Sequence, residues 1–488
     1  MSIESAAATR TSESSLLSFR ETIEAVAGKY VCLAGAAERF HFTNVTTDSR
    51  TVTDGSLFVP LVGETQDGHK YILQALEQGA RVVFADLESY ECLAGLFMDF
   101  LENYPDAVFI VVKNTLTALQ CAAAAYVKKF PDLIKIGITG SSGKTTTKEL
   151  IAAVLSRKYT VVMNEGNLNS ETGLPLSVFK IRAEHEVGIF EMGMNRKGEI
   201  AELANVLCPR FAVVTNIGSA HIGILGSKDA IAYEKKQIFS RFTADCVAFI
   251  PAADPYADFL AENCGGTVVR YGVNTDPVSR IKNAGLAGTE FLYRQVPILL
   301  PLPGAGNFSD ALAAASLASY MGFGADDIKA GLESVRPLFG RSQIIGGPVS
   351  VVQDCYNANP DSMEQALDFF ASLDIEPGRK IAVLGDMLEL GAESESAHVA
   401  AVRSAAASGA VLLVCIGRAV SAAAERLVRE DRVGSVRVEC FADSSDAVIS
   451  DAAALLCGFL RRGDVVLLKG SRGMRLERLT PYLTECAV

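Results

Sequence analysis

The chain's 11 cysteines include no C-x-x-C pair, which removes the usual zinc-ribbon and thioredoxin-like patterns. No apolar run approaches the ~18 residues of a membrane-spanning helix, so no membrane insertion is expected. Residues 1–18 are rich in Ser, Thr and Ala and lack a basic start followed by an apolar core, so no secretory signal is expected. An odd cysteine count then fits a reducing, cytoplasmic location. Cys415 and Cys457, each inside an apolar run, read as buried reduced thiols. Basic residues are outnumbered, 45 against 57 acidic ones, and the net charge of -12 disfavours a general nucleic-acid or membrane-surface binder. Anionic substrates stay open, because a few cations can dominate one cleft. A D-x-D-x-D-G calcium loop, an N-K-x-D guanine motif, internal repeats and long low-complexity linkers are all absent.

What is present is a core-forming balance: 49% hydrophobic and 21% charged residues over 488 positions, enough for about three domains. Residues 1–113 form a first block, in which β-like runs such as Ser56-Leu57-Phe58-Val59-Pro60-Leu61 and Arg81-Val82-Val83-Phe84 alternate with helical stretches. Residues 114–338 form a second block. Strands are predicted over 135–139, 187–190 and 211–215, and helices over 115–129, 144–157, 230–242 and 307–321. Residues 339–488 repeat the alternation, with strands over 349–353, 380–384, 411–415 and 464–468. Helices over 362–372, 396–407, 420–429 and 446–459 separate them. The fold class is therefore α/β, with mostly parallel, doubly wound sheets covered on both faces. Ligands of such folds bind beyond the carboxyl ends of the strands.

The sharpest local signal is Thr139-Gly140-Ser141-Ser142-Gly143-Lys144-Thr145-Thr146, between a predicted strand and helix. Glycines let several N–H groups converge on phosphate oxygens, and the helix start adds its positive end. Lys144 would neutralise the β- and γ-phosphates, and the Thr145 hydroxyl would bind Mg²⁺. The general P-loop consensus places its first glycine where Ile138 stands; here Gly140 leads a tighter loop. The motif says nucleoside triphosphate, not reaction. Val187-Gly188-Ile189-Phe190-Glu191 is an apolar strand ending in an acid, suited to holding Mg²⁺ beside that loop. His221 follows another strand in Thr215-Asn216-Ile217-Gly218-Ser219-Ala220-His221. Lys235 and Lys236 lie on one helix; a lysine beside metal ions would need its charge changed, for instance by CO₂ adding to the amine.

Together these residues resemble the Mur ligase family. The phosphate loop has its T-G-[ST]-x-G-K-T form, and the spacing to Glu191, His221 and Lys235 agrees. So do Asn164-Glu165-Gly166-Asn167-Leu168-Asn169 with Gly173-Leu174-Pro175, Glu191-Met192-Gly193-Met194-Asn195, and Gly198-Glu199-Ile200. Further on, Asp354-Cys355-Tyr356-Asn357-Ala358-Asn359-Pro360, Gly385-Asp386-Met387-Leu388-Glu389-Leu390-Gly391 with His398, and Lys469-Gly470-Ser471-Arg472 are similar to it. In the first block, Asp48-Ser49-Arg50 and Gly63-Glu64-Thr65-Gln66-Asp67-Gly68-His69 resemble the part that holds a UDP-muramoyl substrate.

The resemblance implies a three-domain, monomeric, ATP-dependent ligase. It would join D-alanyl-D-alanine to UDP-N-acetylmuramoyl-tripeptide through an acyl phosphate, in peptidoglycan precursor synthesis. It implies a substrate domain over 1–113, an ATP-binding P-loop domain over 114–338, and a Rossmann-like domain over 339–488 for nucleotide and dipeptide. Carried over by position, residues 140–146 and Asn307, Arg341 and Asp354 bind nucleotide, with Asn307 at the adenine. Thr145 would hold a first Mg²⁺; Glu191, His221 and a carbamylated Lys235 would serve a second. Ser49, Arg50, Asn169, Thr172, Tyr356, Asn357, Asn359, Lys469, Ser471 and Arg472 would contact substrates. One departure stands out. The family's G-x-H-N-x-x-N segment is Gly304-Ala305-Gly306-Asn307-Phe308-Ser309-Asp310 here, with glycine for histidine and aspartate for the second asparagine. A sibling ligase adding the third residue, a folylpolyglutamate-type synthetase, a P-loop switch and an inactive nucleotide-binding scaffold are the alternatives. The Tyr356–Asn359 and Lys469–Arg472 segments disfavour the first two.

Overall fold

The structure, a computed structural model, describes residues 15–63 and 65–486. Glu64 and most of the stretch 1–18 read above lie outside the described residues. Two compact units form. One comprises the chain up to Leu133 with Val162–Gly188 and Glu202–Cys208; the other comprises Ile134–Val161, Ile189–Ala201 and the chain from Pro209 onward.

The first unit holds a five-stranded sheet of β1 (Lys29–Cys32), β2 (Asn44–Thr46), β3 (Ser56–Phe58), β4 (Ala80–Asp86) and β5 (Val108–Val112), in the order β1-β5-β4-β3-β2. Only β1 runs antiparallel, against β5. β3 stops before Pro60, which has no N–H for a ladder.

The central sheet consists of β6 (Ile134–Thr139), β7 (Val161–Met163), β8 (Val187–Glu191), β9 (Phe211–Val214), β10 (Val247–Pro251) and β11 (Thr267–Tyr271), in the order β11-β10-β9-β6-β8-β7. β6 pairs parallel with β9, and β10 with both β9 and β11. This order sets β6 between β8 and β9, so the loops after these three strands meet at one edge. Helix Lys144–Leu155 packs along helix Ala305–Tyr320. Ala311, Ala314, Ala315 and Ala318 are buried on the latter, and their small side chains let the axes come close. The segment between β11 and that helix was not foreseen as sheet. It forms an antiparallel sheet of β12 (Val278–Asn283), β13 (Thr289–Tyr293) and β14 (Val296–Leu300).

The last sheet has the order β15-β16-β20-β17-β18-β19, from β15 (Gln343–Ile345), β16 (Ser350–Asp354), β17 (Lys380–Gly385), β18 (Ala410–Ile416), β19 (Arg437–Phe441) and β20 (Val465–Lys469). All pairs but β15–β16 are parallel. Its strands are apolar without interruption because both faces are covered. Ile381, Val383, Leu412, Val414, Val466 and Leu468 enter one core; Ala382, Leu384, Leu413, Cys415, Val465 and Leu467 enter the other. That is the period of two that a strand imposes. Cys415 is a buried free thiol, as expected. Cys457 is not: it is only partly buried and is bonded to Cys486, with the two Cα atoms 5.7 Å apart. The apolar run around Cys457 gave its helix but not the neighbour brought up by the chain's last helix, Thr480–Glu485. Among the described residues no helix is long and apolar enough to cross a membrane.

Candidate functional site

The phosphate-loop motif lies between β6 and helix Lys144–Leu155. Gly143 caps that helix at φ 79°, a left-handed conformation natural to glycine. A side chain there would also strike Asp310; its Cβ would sit 2.7 Å from Oδ2. A Cβ at Gly140 would collide with the Thr215 hydroxyl. The loop is braced from β9: Asn216 Oδ1 accepts from the Ser141 and Ser142 N–H groups, each at 3.0 Å. The Thr215 hydroxyl donates to Ser142 O at 2.5 Å, and Gly218 N–H donates to Ser141 Oγ at 2.8 Å.

Two amines converge on one carbonyl. Lys144 Nζ donates to Gly140 O at 2.8 Å and Lys235 Nζ at 2.9 Å. Lys235 is 1% exposed, so this half of the lysine pair is not a solvated face. Lys236 instead donates to Phe259 O at 2.6 Å. Burial lowers the Lys144 pKa; Glu191 and Asp310 oppose that and Arg341 adds to it. Burial, and then the Lys144 charge, push Lys235 well below the ordinary lysine range, with Glu234 and Glu191 opposing. Part of Lys235 is therefore driven towards the neutral amine.

On the other flank of β6, Glu191 ends β8, and its Oε2 accepts from the buried Thr145 hydroxyl at 2.8 Å. This pair of oxygen donors matches the hard-ligand preference of Mg²⁺. His221, after β9, adopts φ 64°, unusual for a residue with a side chain. Its Nδ1 is buried without a hydrogen bond, although Glu389 Oε2 lies 3.3 Å away. Burial first, then the charges of Lys235 and Lys144, lower its pKa to about 4. The imidazole is neutral near pH 7, the form that can ligate a metal. No group of three or more His, Cys, Asp or Glu side chains is placed to hold a metal ion among the described residues.

Most of the residues predicted in 339–488 gather at the carboxyl edge of the last sheet. Register makes Asp354 on β16 the direct neighbour of Lys469 on β20, and Lys469 Nζ lies 2.8 Å from Asp354 Oδ2. The same amine donates to Asn357 O at 3.0 Å. Arg341 stacks over the Tyr356 ring at 4.2 Å, and Arg472 lies 5.8 Å from that ring. Ser471 Oγ accepts from Leu388 N–H at 2.9 Å. Asn359 caps helix Pro360–Ser372. Asn307 lies in the first turn of helix Ala305–Tyr320, and its amide donates to Pro303 O at 2.7 Å. His398 is buried, and its Nε2 accepts from Met387 N–H at 2.9 Å, which holds the 386–391 turn.

Ser49, Arg50, Asn169 and Thr172 belong to the first unit. There Ser49 Oγ donates to Gln74 Oε1 at 2.8 Å, and Arg50 pairs with Asp48 at 2.7 Å. Thr172 occupies the position before helix Gly173–Val178. Sequence reasoning missed Asn216 as the loop's brace, and it missed Asp361, whose carboxylate accepts from Ser219. Asn216 was legible in hindsight as the polar residue just past a strand end. Nothing local marks the partner of Asp361.

Comparison with known proteins gives a consistent picture. Residues 41–127 match the model "Mur ligase family, catalytic domain", 138–318 "Mur ligase middle domain", and 340–472 "Mur ligase, glutamate ligase domain". The chain is 46% identical to the UDP-N-acetylmuramoyl-tripeptide–D-alanyl-D-alanine ligase of Treponema pallidum, over 96% of this chain and 99% of that one. Among solved structures it is similar to MurF from Acinetobacter baumannii, with a TM-score of 0.83, 27% identity, and 97% and 99% of the two chains covered. It is also similar to MurF ligase from Thermotoga maritima in complex with ADP, with a TM-score of 0.76, 26% identity, and 91% and 97% covered.

Proposed function

Since the chain belongs to the Mur ligase family, we infer that it is an ATP-dependent ligase that adds D-alanyl-D-alanine to UDP-N-acetylmuramoyl-tripeptide in peptidoglycan precursor synthesis. The substrates are read from the near-full-length relatives. The chemistry rests on one observation: a phosphate-type loop on which Lys144 and Lys235 converge, with the Thr145–Glu191 pair beside it.

In the reaction proposed, the tripeptide's terminal carboxylate attacks the γ-phosphorus of ATP. ADP leaves and an acyl phosphate forms. The dipeptide amine then attacks the acyl carbon, phosphate leaves and the amine proton is released. A carboxylate is a poor electrophile, and phosphorylation supplies its leaving group. The protein's share is alignment and charge neutralisation. The loop N–H groups and Lys144 take the phosphates. Asn307 takes the adenine side, and Arg341 and Asp354 contact the nucleotide from residues 339–488. Tyr356, Asn357, Asn359, Lys469, Ser471 and Arg472 face the dipeptide end. Ser49 and Arg50 in residues 1–113, with Asn169 and Thr172 from residues 114–338, hold the muramoyl substrate.

Thr145 and Glu191 would hold one Mg²⁺, and Glu191 with His221 a second. Mg²⁺ supplies charge neutralisation at the phosphoryl oxygens. An unmodified Lys235 adds no ligand to that pair. Its neutral amine can add CO₂, giving a carbamate and one proton. The carbamate replaces an amine whose protonated form repels Lys144 with an anion able to orient metal. The reading places the enzyme in the cytoplasm as a monomer. The test is coupled phosphate release with purified UDP-muramoyl tripeptides: it should require both tripeptide and D-alanyl-D-alanine. Release independent of the dipeptide rejects the assignment.

A further inference from the structure

Helix Pro360–Ser372 begins directly after the Tyr356–Asn359 segment, and its start is fixed by local chemistry. Asn359 Oδ1 accepts from Ser362 N–H at 2.8 Å, Ser362 Oγ accepts from Asn359 N–H at 3.1 Å, and Pro360 opens the first turn. This rigid start aims Asp361. An acid in a first turn is ordinarily explained by the helix's positive end. Asp361 does more: its Oδ2 accepts from both the N–H and the hydroxyl of Ser219, each at 2.5 Å. These are short, charge-assisted bonds. Lys228 Nζ lies 3.6 Å from the other oxygen.

Ser219 belongs to the loop after β9 that carries His221. Next to it, Gly218 leaves room for the carboxylate; a Cβ there would lie 2.6 Å from Asp361 Oδ2. Gly218 N–H in turn donates to Ser141 Oγ in the phosphate loop. One continuous path thus runs from the Asn359 cap through Asp361, Ser219 and Gly218 to Ser141. A second contact lies on the far side of His221, where a Cβ at Gly223 would be 2.6 Å from Glu389 O.

We propose that Asp361 is a positioning residue of the ligation reaction: by gripping Ser219 it ties the docking of the 339–488 block to the shape of the phosphate loop and the placement of His221. The proposal rests on the functional reading above. Its consequence is that nucleotide is engaged fully only when the segment bearing Tyr356, Asn357 and Asn359 is in place, so the acyl phosphate forms beside the amine that will consume it.

The experiment compares Asp361→Ala, Asp361→Asn, Ser219→Ala and the double variant Asp361→Ala/Ser219→Ala. Two readouts are used: steady-state phosphate release, and calorimetric binding of adenylyl imidodiphosphate with Mg²⁺. Asp361→Ala, which removes both bonds, should lower kcat about 10-fold, and Ser219→Ala, which keeps the backbone bond, severalfold; in both, KM for the UDP-muramoyl tripeptide is unchanged and nucleotide-analogue binding weakens. Asp361→Asn, which keeps one acceptor oxygen, should recover most of the loss. The double variant should be no worse than Asp361→Ala alone, since the hydroxyl bond that Ser219→Ala removes is already lost there. Wild-type kcat and nucleotide affinity in Asp361→Ala overturn the proposal, and so do losses that multiply in the double variant. If wild-type protein releases phosphate without dipeptide, the functional reading fails instead, and the binding arm still decides whether the contact acts on the nucleotide loop. Should Asp361→Ala not fold, Ser219→Ala decides: wild-type kcat and nucleotide affinity in that variant overturn the proposal.

Discussion

Asp310→Asn isolates a single buried charge at the nucleotide loop. Asp310 is 7% exposed and its carboxyl faces Gly143. Burial raises its pKa to about 8, even though the Thr147 hydroxyl, Arg341 and Lys144 all pull it down. In an unfolded chain an aspartate titrates near 3.9. Below that value both states hold the proton, and the carboxyl's contribution to stability is fully present. Between about 4 and about 8 only the folded chain holds it. Stability attributable to this group is therefore lost as pH rises, at about 1.4 kcal/mol per pH unit, or about 4 kcal/mol from pH 5 to pH 8. Asparagine has nearly the same shape and carries no titrating proton. Groups remote from Asp310 titrate alike in both proteins and cancel. The chain has no tryptophan, so urea denaturation is followed by far-ultraviolet circular dichroism. The stability of Asp310→Asn relative to wild type should grow by about 4 kcal/mol across that range. Curves that stay parallel within about 1 kcal/mol would refute the reasoning, because the proton would not be held at this site.

Further expectations concern the loop and its amines. Lys144→Ala should reduce ATP-dependent ligation by at least about 10²–10³-fold, the scale of losing a central electrostatic donor; near-normal turnover in the phosphate assay rejects its role. Lys235→Ala should be nearly inactive and be partly restored by added short carboxylic acids, whereas full activity without them rules out the carbamate. Gly143→Ala should weaken nucleotide binding by about 10-fold or more, since alanine is strained at φ 79° and its methyl meets Asp310; wild-type affinity by calorimetry would contradict that close approach.

Much of the fold was legible locally. Apolar runs of five or six residues between amphipathic stretches can be buried only as parallel strands with helices on both faces, and β16, β17, β18 and β20 lie where such runs occur. The loop at Gly140–Thr145 was legible for the same reason: glycine placement and a helix start are properties of neighbouring residues. Weakly patterned segments were not. β12 and β13 mix exposed and buried positions without a long apolar run, and β14 is an apolar run interrupted by Pro297, so none of the three reads as a buried parallel strand.

Along one chain, then, backbone propensity and period of burial determined the elements and the phosphate loop. Tertiary structure alone decided which distant groups became partners. Lys235 and Lys236 are adjacent in sequence, but the helix turns one into the Gly140 carbonyl and the other to Phe259. Asp354 and Lys469 are joined only by the register of β16 and β20. Cys457 found Cys486, and Asp361 found Ser219, through the docking of separate elements. Such pairings depend on sheet order and helix packing, which the whole chain's burial decides and no local window contains.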